Sequence, residues 1–297
     1  MIVNQANLAD FFRGLQVIFK DAFVSANSQF DRVATTVPST GSEEHYGWLN
    51  KMPQMRQWLG DRVLQSLSAG DFTIKNIPYE STIEVSRFDL ADDKLGLYSP
   101  LTQQMGNEAK THPDTLVFPL LQNGFTGRCF DGQYFFDTSH PVKAADGTWT
   151  TWSNNGGGSG TPWFLLSTSR PLKPLIFQKR QDYILTAMTS LEDEAVFMRA
   201  AYRFGIDARV NAGYGLPQLA YGSKQTLDST AYGAARASMM SVKGDYGKPL
   251  GIMPDLLVVP PALEGTARRI LLADRDPNGA TNVYQGTAKL LVSPWLA

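Results

Sequence analysis

Residues 71–90 constrain the fold most tightly, because their pattern describes an element that cannot bury itself. The segment DFTIKNIPYESTIEVSRFDL alternates apolar and polar side chains on both sides of a break. This pattern predicts a strand, a turn between Asn76 and Ser81, and a second strand that together form a hairpin. A two-stranded hairpin with few large apolar residues is only marginally stable alone. We therefore expect the hairpin to need a partner surface.

The N-terminal part of the chain is predicted to be a helix followed by an extended arm. Apolar residues recur at helical spacing through residues 8–23, and Asn7 is a suitable N-cap. Residues 28–52 have little periodicity and contain Pro38 and Gly41. A long segment without regular structure is unusual inside a compact domain, so we expect this arm to lie on a neighbouring subunit.

Apolar residues of the helix, the arm and the hairpin are the candidates for contacts between subunits. The helix and hairpin residues are expected to dock on a neighbour, and the two tryptophans are expected to anchor the arm. Packing within the same chain is the alternative for each residue taken singly. The candidates are Phe11, Phe12, Leu15, Ile18, Trp48, Trp58, Phe72, Ile74, Ile77 and Tyr79.

The remaining sequence predicts a long helix followed by a mixed body of helices and strands. Residues 95–125 have helical spacing, with Gly124 as a stop, and Pro113 and Pro119 predict that the helix is in pieces. Strands are predicted at 174–180, 182–188, 255–260 and the C-terminus, helices at 191–204, 226–242 and 261–273, a mostly extended segment at 206–223 and a flexible loop at 143–161. Helices and strands do not alternate regularly, so the predicted fold class is α+β.

Composition excludes several classes of protein. The 297 residues include 27 Lys and Arg against 28 Asp and Glu, so no strong overall field favours general nucleic-acid binding. A net charge near zero also does little to keep copies of the chain apart, which suits self-association. One cysteine excludes disulfides within the chain, and we expect neither a signal peptide nor a membrane span.

The segment CFDGQYFFDTSHP, residues 129–141, contains the residues that favour chemistry most. Cys129 with His140 would suit a cysteine nucleophile, and both with Asp131 and Asp137 would suit a metal site. Catalytic partners usually converge from distant segments, however, and no paired metal-ligand motif is present. We favour packing, with a turn at Asp131 and Gly132, an apolar strand from Tyr134 to Phe136, and an extended end at His140. No catalytic, metal or cofactor residue is assigned.

Several segments resemble the major head subunits of Mu-like bacteriophages and prophages. They are FDGQYFFDTSHP, STSRPLKPLIFQKR, FGIDARVNAGYG, the terminal LLVSPWLA and, in the arm, YGWLNKMPQMRQW. The resemblance spans nearly the whole chain, and the order of these motifs makes it specific. It implies the Hong Kong 97-type capsid fold, with an N-terminal arm, an extended-loop hairpin, a spine helix, and peripheral and axial domains.

The resemblance also implies a division of the chain into the parts of that fold. The N-terminal arm would be residues 1–66, the extended-loop hairpin 67–94, the peripheral domain with its spine helix 95–223, the axial domain 224–285, and a C-terminal strand that returns to the peripheral domain 286–297.

The implied function is that of the major capsid protein of a tailed bacteriophage, without enzymatic activity or a cofactor. Such a protein self-assembles into hexamers and pentamers of an icosahedral shell that encloses double-stranded DNA. The implied partners are further copies of the chain, a separate scaffolding protein, a portal, a decoration protein, and packaged DNA bound non-specifically through phosphates. The implied location is the virion, after assembly in the cytoplasm of the host bacterium. The alternatives are a cysteine-dependent hydrolase using Cys129 and His140, and a ring-forming phage tail or connector protein.

Overall fold

The computed structural model describes residues 5–47, 72–91, 98–190, 192–276 and 279–297. Within them, the helices are α1 (Gln5–Ser25), α2 (Arg87–Ala91), α3 (Tyr98–Asn123), α4 (Glu194–Arg199), α5 (Ser229–Met240) and α6 (Glu264–Leu272). The strands are β1 (Ala34–Pro38), β2 (Glu43–His45), β3 (Thr73–Lys75), β4 (Ile77–Ser86), β5 (His140–Lys143), β6 (Trp149–Trp152), β7 (Asn155–Gly158), β8 (Trp163–Leu166), β9 (Leu175–Met188), β10 (Ala201–Tyr214), β11 (Ala220–Lys224), β12 (Leu256–Val259) and β13 (Lys289–Val292). None of the described helices has the length and hydropathy that a membrane span requires.

The turn predicted between Asn76 and Ser81 is wrong. Residues 77–86 form one strand, β4, which pairs antiparallel with β10 along its whole length, so Ile77 lies opposite Val210 and Ser86 opposite Ala201. Only the break at Asn76, between β3 and β4, is as the pattern indicated. The alternation was correctly recognised as strand, but its hydrogen-bonding partner lies more than a hundred residues further along the chain.

The expectation that residues 28–52 lie as an arm on a neighbouring subunit is wrong for part of this segment. Residues 34–38 form β1, which pairs parallel with β9 of the same chain. Residues 43–45 form β2, which pairs antiparallel with β3. The four-stranded sheet therefore has the order β1, β9, β10, β4, and the first strand of the chain is one of its edges.

A five-stranded sheet, in the order β13, β12, β8, β11, β7, forms the centre of the molecule. Every residue of β8 and β12 is buried, because side chains from both faces of these strands enter hydrophobic clusters. Phe164 and Leu166 pack on the side of α3, whereas Trp163 and Leu165 pack on the side of α5 and α6. This sheet takes strands from both sides of the domain boundary predicted at residue 224.

The four-stranded sheet continues beyond this core as three strands, which we call the sheet extension: β4 with residues 179–188 of β9 and 201–210 of β10. The first four residues of β9 are buried, and the following ten alternate between exposed and half-buried. One face of the extension is covered by α1, whose Leu15 lies in a cluster with Val85 and Tyr202. The extension therefore depends on α1 for the burial of its apolar face.

Helix α3 is one continuous helix, so the prediction of a helix in pieces is wrong. It runs from Tyr98 to Asn123 and contains both Pro113 and Pro119. Each proline removes a backbone hydrogen bond. Buried side chains on both sides of the prolines, including Met105 and Leu121, offset that loss by tertiary packing. The predicted stop before Gly124 is confirmed.

Two further predictions are corrected by the strands. The loop predicted at 143–161 contains β6 and β7, which pair with β5 and β11. The helix predicted at 191–204 is only α4, because Ala200 adopts a left-handed φ of 48° and β10 begins at the next residue. The helices near 226–242 and 261–273 and the buried strand near 255–260 are confirmed. Asp228 caps α5 by accepting a hydrogen bond from the backbone N–H of Ala231.

Candidate functional site

One buried polar cluster joins Cys129, Asp131, His140 and Asn154. The His140 Nδ1 atom lies 2.6 Å from Asp131 Oδ2, and the Cys129 thiol donates to Asp131 Oδ1 over 3.1 Å. The His140 Nε2 atom lies 3.1 Å from Asn154 Oδ1. The imidazole is fully buried and stacks on Trp152 with a centroid distance of 4.6 Å. The cluster ties the turn after Cys129 to strand β5.

The orientation of the Asn154 amide is fixed by its backbone partners. Its Nδ2 atom donates to the carbonyl oxygens of Phe135 and Pro217, at 2.8 and 3.1 Å. Its Oδ1 atom accepts from the backbone N–H of Asp137 at 2.9 Å. Since Oδ1 can only accept, the Nε2 atom of His140 must carry a proton and donate it. The second nitrogen of the ring is then the one that faces the Asp131 carboxylate.

This arrangement is not that of an activated cysteine nucleophile. His140 contacts Asp131 and not the sulfur, and the thiol itself donates to the carboxylate. Burial and the neighbouring negative charge of Asp131 raise the pKa of the Cys129 thiol far above its usual range, so the thiolate is disfavoured. The packing interpretation is supported at Phe135 and Phe136, which are fully buried, although residues 134–136 do not form a regular strand.

The candidate contact residues of the N-terminal helix lie against their own chain. Phe12 stacks on Phe204 of β10 with a centroid distance of 5.6 Å, and Phe11 meets the same ring edge-on at 6.1 Å. Leu15 is buried beside them, and Ile18 is half-buried. The helix begins at Gln5, so Asn7 is inside it and is not its N-cap.

The candidate residues of the predicted hairpin divide into buried and exposed ones. Ile74 is buried, Phe72 is half-buried, and Tyr79 packs on the ring of His112 in α3 at 4.4 Å. Ile77 is 41% exposed, and it alone of these four side chains faces largely outward. Trp48 and Trp58 lie outside the described residues, so the anchoring role assigned to them stays a prediction.

An apolar surface that the sequence analysis did not identify lies at the far end of the sheet extension. We call it the tip patch, and it consists of Phe88, Met188, Phe197 and Met198. Their side chains are 69%, 42%, 80% and 71% exposed, respectively. They lie together because the Arg87 N–H donates to the Ala200 carbonyl oxygen at 2.8 Å and Met188 pairs with Arg203. Four large apolar side chains exposed at the same end of the sheet extension suit an interaction surface.

A buried carboxylate in α3 fixes the point where the chain leaves α1. Asp114 Oδ1 accepts hydrogen bonds from the backbone N–H groups of Gln29 and Phe30, at 2.9 and 2.6 Å, and from the Ser28 hydroxyl at 3.1 Å. The other oxygen, Oδ2, is buried and has no hydrogen-bond partner within the described residues. Burial outweighs these hydrogen bonds and raises the pKa of Asp114 above its usual value.

Replacing Asp114 separates the role of its hydrogen bonds from that of its charge. Because its pKa is raised by folding, protonated Asp114 stabilises the native state below the unfolded pKa, and this stability is lost as pH rises through the folded pKa. Asp114→Asn keeps an accepting oxygen and carries no charge. Its stability relative to the natural chain is therefore expected to increase as pH rises from acid to neutral, as measured by urea unfolding.

Asp114→Ala is the contrasting variant, because it removes the acceptor of three donors. Leaving buried backbone N–H groups unpaired costs about 1–3 kcal/mol. We expect this loss at acid pH and a smaller one near neutral pH, because the natural chain itself loses stability when Asp114 ionises. Equal pH dependence in the natural chain and in Asp114→Asn would show that the carboxyl group does not titrate as inferred.

Comparisons with known proteins agree with the architecture. The family model described as Mu-like prophage major head subunit gpT matches residues 8–296. The major capsid protein of Escherichia phage Mu is 38% identical, over the full length of both chains. The Mu-like prophage FluMu major head subunit of Haemophilus influenzae is 40% identical over 96% of each chain.

Solved phage structures show the same fold. A chain from the procapsid of bacteriophage JBD30 is 42% identical, with a TM-score of 0.87, covering 99% of this chain and all of that one. A chain from the JBD30 capsid is 30% identical, with a TM-score of 0.78 and full coverage of both. The fold is therefore that of the major capsid proteins of tailed bacteriophages, the Hong Kong 97 type.

The chain belongs to the family of Mu-like prophage major head subunits. Its function is that of a major capsid protein, a component of the virion that oligomerises into a shell. Neither alternative, the cysteine-dependent hydrolase or the ring-forming tail or connector protein, receives support from these relatives.

Proposed function

We propose that copies of this chain form hexamers and pentamers of an icosahedral shell around double-stranded DNA, and that they meet through the tip patch. The proposal rests on the exposure of Phe197 and Met198 at the end of the sheet extension. A soluble single subunit gains nothing from exposing these side chains, whereas a contact with a neighbouring copy removes them from water. Burying a side chain of this size stabilises by about 1.5–3 kcal/mol.

Contacts with free energies of this size are sufficient for a stable shell, because each contact is repeated in every subunit. A contact between two different surfaces of identical chains closes into rings when the rotation allows it, as hexamers and pentamers require. Within a ring or shell every subunit makes several such contacts, so modest individual free energies combine into a stable assembly. Ile77, on the edge strand β4 of the sheet extension, is a second exposed residue available to a neighbour.

The remaining proposed partners are those that a shell needs for its assembly and for the packaging of DNA. We propose that a separate scaffolding protein guides assembly, that a portal occupies one vertex, and that a decoration protein binds outside. One of the similar solved structures is a JBD30 capsid decorated with minor capsid protein trimers, which supports the last point. DNA would be held through its phosphates without sequence preference. This binding would be weak, since a chain with a net charge of −1 has no strong overall attraction for DNA. Assembly would take place in the cytoplasm of the host bacterium.

We propose that the subunit has no enzymatic activity. Cys129 is buried, and its thiol proton is held by Asp131 at a distance of 3.1 Å. A buried thiol with a raised pKa is a poor nucleophile at neutral pH. Cys129→Ala should therefore leave shell formation intact, whereas it would abolish the activity of a cysteine hydrolase.

Expression of the chain alone and with the neighbouring head-assembly proteins tests the proposed function. Negative-stain electron microscopy and sedimentation should show closed shells, or free hexamers and pentamers, in at least one of the two preparations. A uniform monomer or small dimer in both would contradict the proposal. Open rings of one fixed size that never close would instead support the connector alternative.

A further inference from the structure

The buried cluster of Cys129, Asp131 and His140 contains three different metal-ligand groups. The Cys129 sulfur, an Asp131 carboxylate oxygen and a His140 ring nitrogen lie within 4.8 Å of one another. Cys129 and His140 are buried, and Asp131 is half-buried, with 13% of its side chain exposed. A path from solvent to the group therefore exists on the Asp131 side.

The cluster requires a positive charge at its centre. Because Asn154 Oδ1 accepts from His140 Nε2, the Nδ1 atom of a neutral imidazole would point its lone pair at the Asp131 carboxylate, 2.6 Å away. Two lone pairs at this distance repel each other. Either a proton shared by the two groups or a metal ion must therefore lie between them.

We propose that this cluster binds one divalent transition-metal ion of the zinc class through Cys129 Sγ, a carboxylate oxygen of Asp131 and His140 Nδ1. Binding releases the thiol proton and the proton between His140 and Asp131 to solvent, so one divalent cation replaces two protons. The fourth position of a tetrahedral site would be taken by water. Zn–S bonds of about 2.3 Å and Zn–N bonds of about 2.0–2.1 Å place tetrahedral ligands about 3.5 Å apart. Donors that are now up to 4.8 Å apart would approach by about 1.3 Å, and the His140 and Asp131 atoms, now 2.6 Å apart, would separate by about 0.9 Å.

The surroundings of His140 have the features of a metal-ligating imidazole. In such sites the ring nitrogen that does not bind the metal usually donates to a fixed acceptor, which sets the tautomer and the orientation of the ring. Asn154 supplies that acceptor, and its own orientation is set by three backbone groups. Thiolate and imidazole ligands together favour zinc over magnesium or calcium, which prefer oxygen donors.

The bound ion would join the turn at residues 129–132 to strand β5. These two segments are now linked by the pair between Asp131 and His140, whereas the contact of Cys129 with Asp131 lies within the turn itself. A metal that binds the native state and not the unfolded state stabilises the native state by mass action. The ion would therefore strengthen the region of the core that contains Phe135 and Phe136.

Cobalt(II) substitution tests the proposal, because Cys129 is the single cysteine of the chain. The full chain is treated with a chelator, dialysed, and titrated with Co²⁺. We expect saturation at one ion per chain, with a thiolate-to-cobalt charge-transfer band in the near ultraviolet and the visible bands of a four-coordinate site. The charge-transfer band can only arise from Cys129. Zn²⁺ should displace the cobalt and raise the midpoint of thermal unfolding.

Three variants complete the test. Cys129→Ser retains a donor for Asp131, and His140→Gln retains hydrogen-bonding groups, so both should fold; each should lose the cobalt bands and bind at least about tenfold more weakly. His112→Gln is the control, since His112 contacts Tyr183 at 2.6 Å and lies outside the cluster. It should retain full binding. Absence of a charge-transfer band in the folded natural chain would overturn the proposal, as would unchanged affinity in folded His140→Gln.

Discussion

Replacing Phe197 and Met198 with aspartate is expected to abolish shell formation while leaving the subunit folded. Both side chains are largely exposed, at 80% and 71%. Exposed substitutions change the free energy of unfolding by about 0.5 kcal/mol or less. In an assembled shell, however, each copy would carry two unpaired charges into a contact, and desolvating an unpaired charge costs several kcal/mol. The penalty recurs in every subunit.

The measurements are sedimentation and negative-stain microscopy for assembly, with circular dichroism and thermal unfolding for the fold. Phe197→Leu combined with Met198→Leu is the matched control, because it retains the apolar character of both positions. This control should assemble. Normal shells from the aspartate pair would show that the tip patch is not a contact between copies, and an unfolded aspartate pair would show that α4 is held more tightly than its exposure indicates.

The exposure of the tip patch could not be predicted from the sequence, and the reason is physical. Apolar residues in a segment with helical spacing are usually read as the buried face of a helix. In the structure α4 is only six residues long, and it connects β9 to β10 beyond the core, so Phe197 and Met198 remain largely exposed. Whether such residues are buried depends on where the two strands end, and this is set by pairing between distant segments.

Some predictions that depended on local signals were correct. The stop before Gly124 and the helices near 226–242 and 261–273 are each set by residues within one or two helical turns. Other local signals failed, since Pro113 and Pro119 lie inside a continuous α3 and Asn7 lies inside α1. The errors in sheet topology concern pairing. Strand β1 pairs with β9, and β4 pairs with β10, across more than a hundred residues. Hydrophobic alternation identifies a strand but contains no information about its neighbour.

In the buried polar cluster, too, the local feature was predictable from the sequence and the link between segments was not. The packing of Phe135 and Phe136 was predictable from their apolar character. The link between Asp131 and His140 was not, because a separation of nine residues matches neither helical nor strand periodicity. It depends on the turn at Gly132, where φ is +83°, and on Asn154, which lies on a later segment.

The surface that the candidate contact residues of α1 pack on was also not predictable. An amphipathic face does not reveal whether it packs on its own chain or on another.

Gly106→Ala is expected to loosen the packing of the N-terminal helix on α3. A Cβ atom at Gly106 would lie 2.6 Å from the Phe19 carbonyl oxygen and 2.8 Å from Ala22 Cβ, both in α1. The contact with backbone cannot be relieved by rotating a side chain, so α1 must move. Overpacking of this kind costs about 1–3 kcal/mol, whereas the higher helix propensity of alanine returns about 0.5–1 kcal/mol. A net decrease in the free energy of unfolding is expected.

Gly14→Ala is the matched control, because among the described residues only atoms of the neighbouring helix turns lie within 4 Å of a Cβ at Gly14. The same substitution should here raise the stability of the helix by up to about 1 kcal/mol. Amide hydrogen exchange over residues 10–25 should accelerate in Gly106→Ala and slow in Gly14→Ala. Slower exchange in both would mean that α1 does not pack closely on α3, and the helix would then be free to dock on a neighbouring copy. Faster exchange in Gly106→Ala together with slower exchange in Gly14→Ala would establish that α1 belongs to the core of its own subunit. There it covers the sheet extension and leaves the tip patch for contacts between copies.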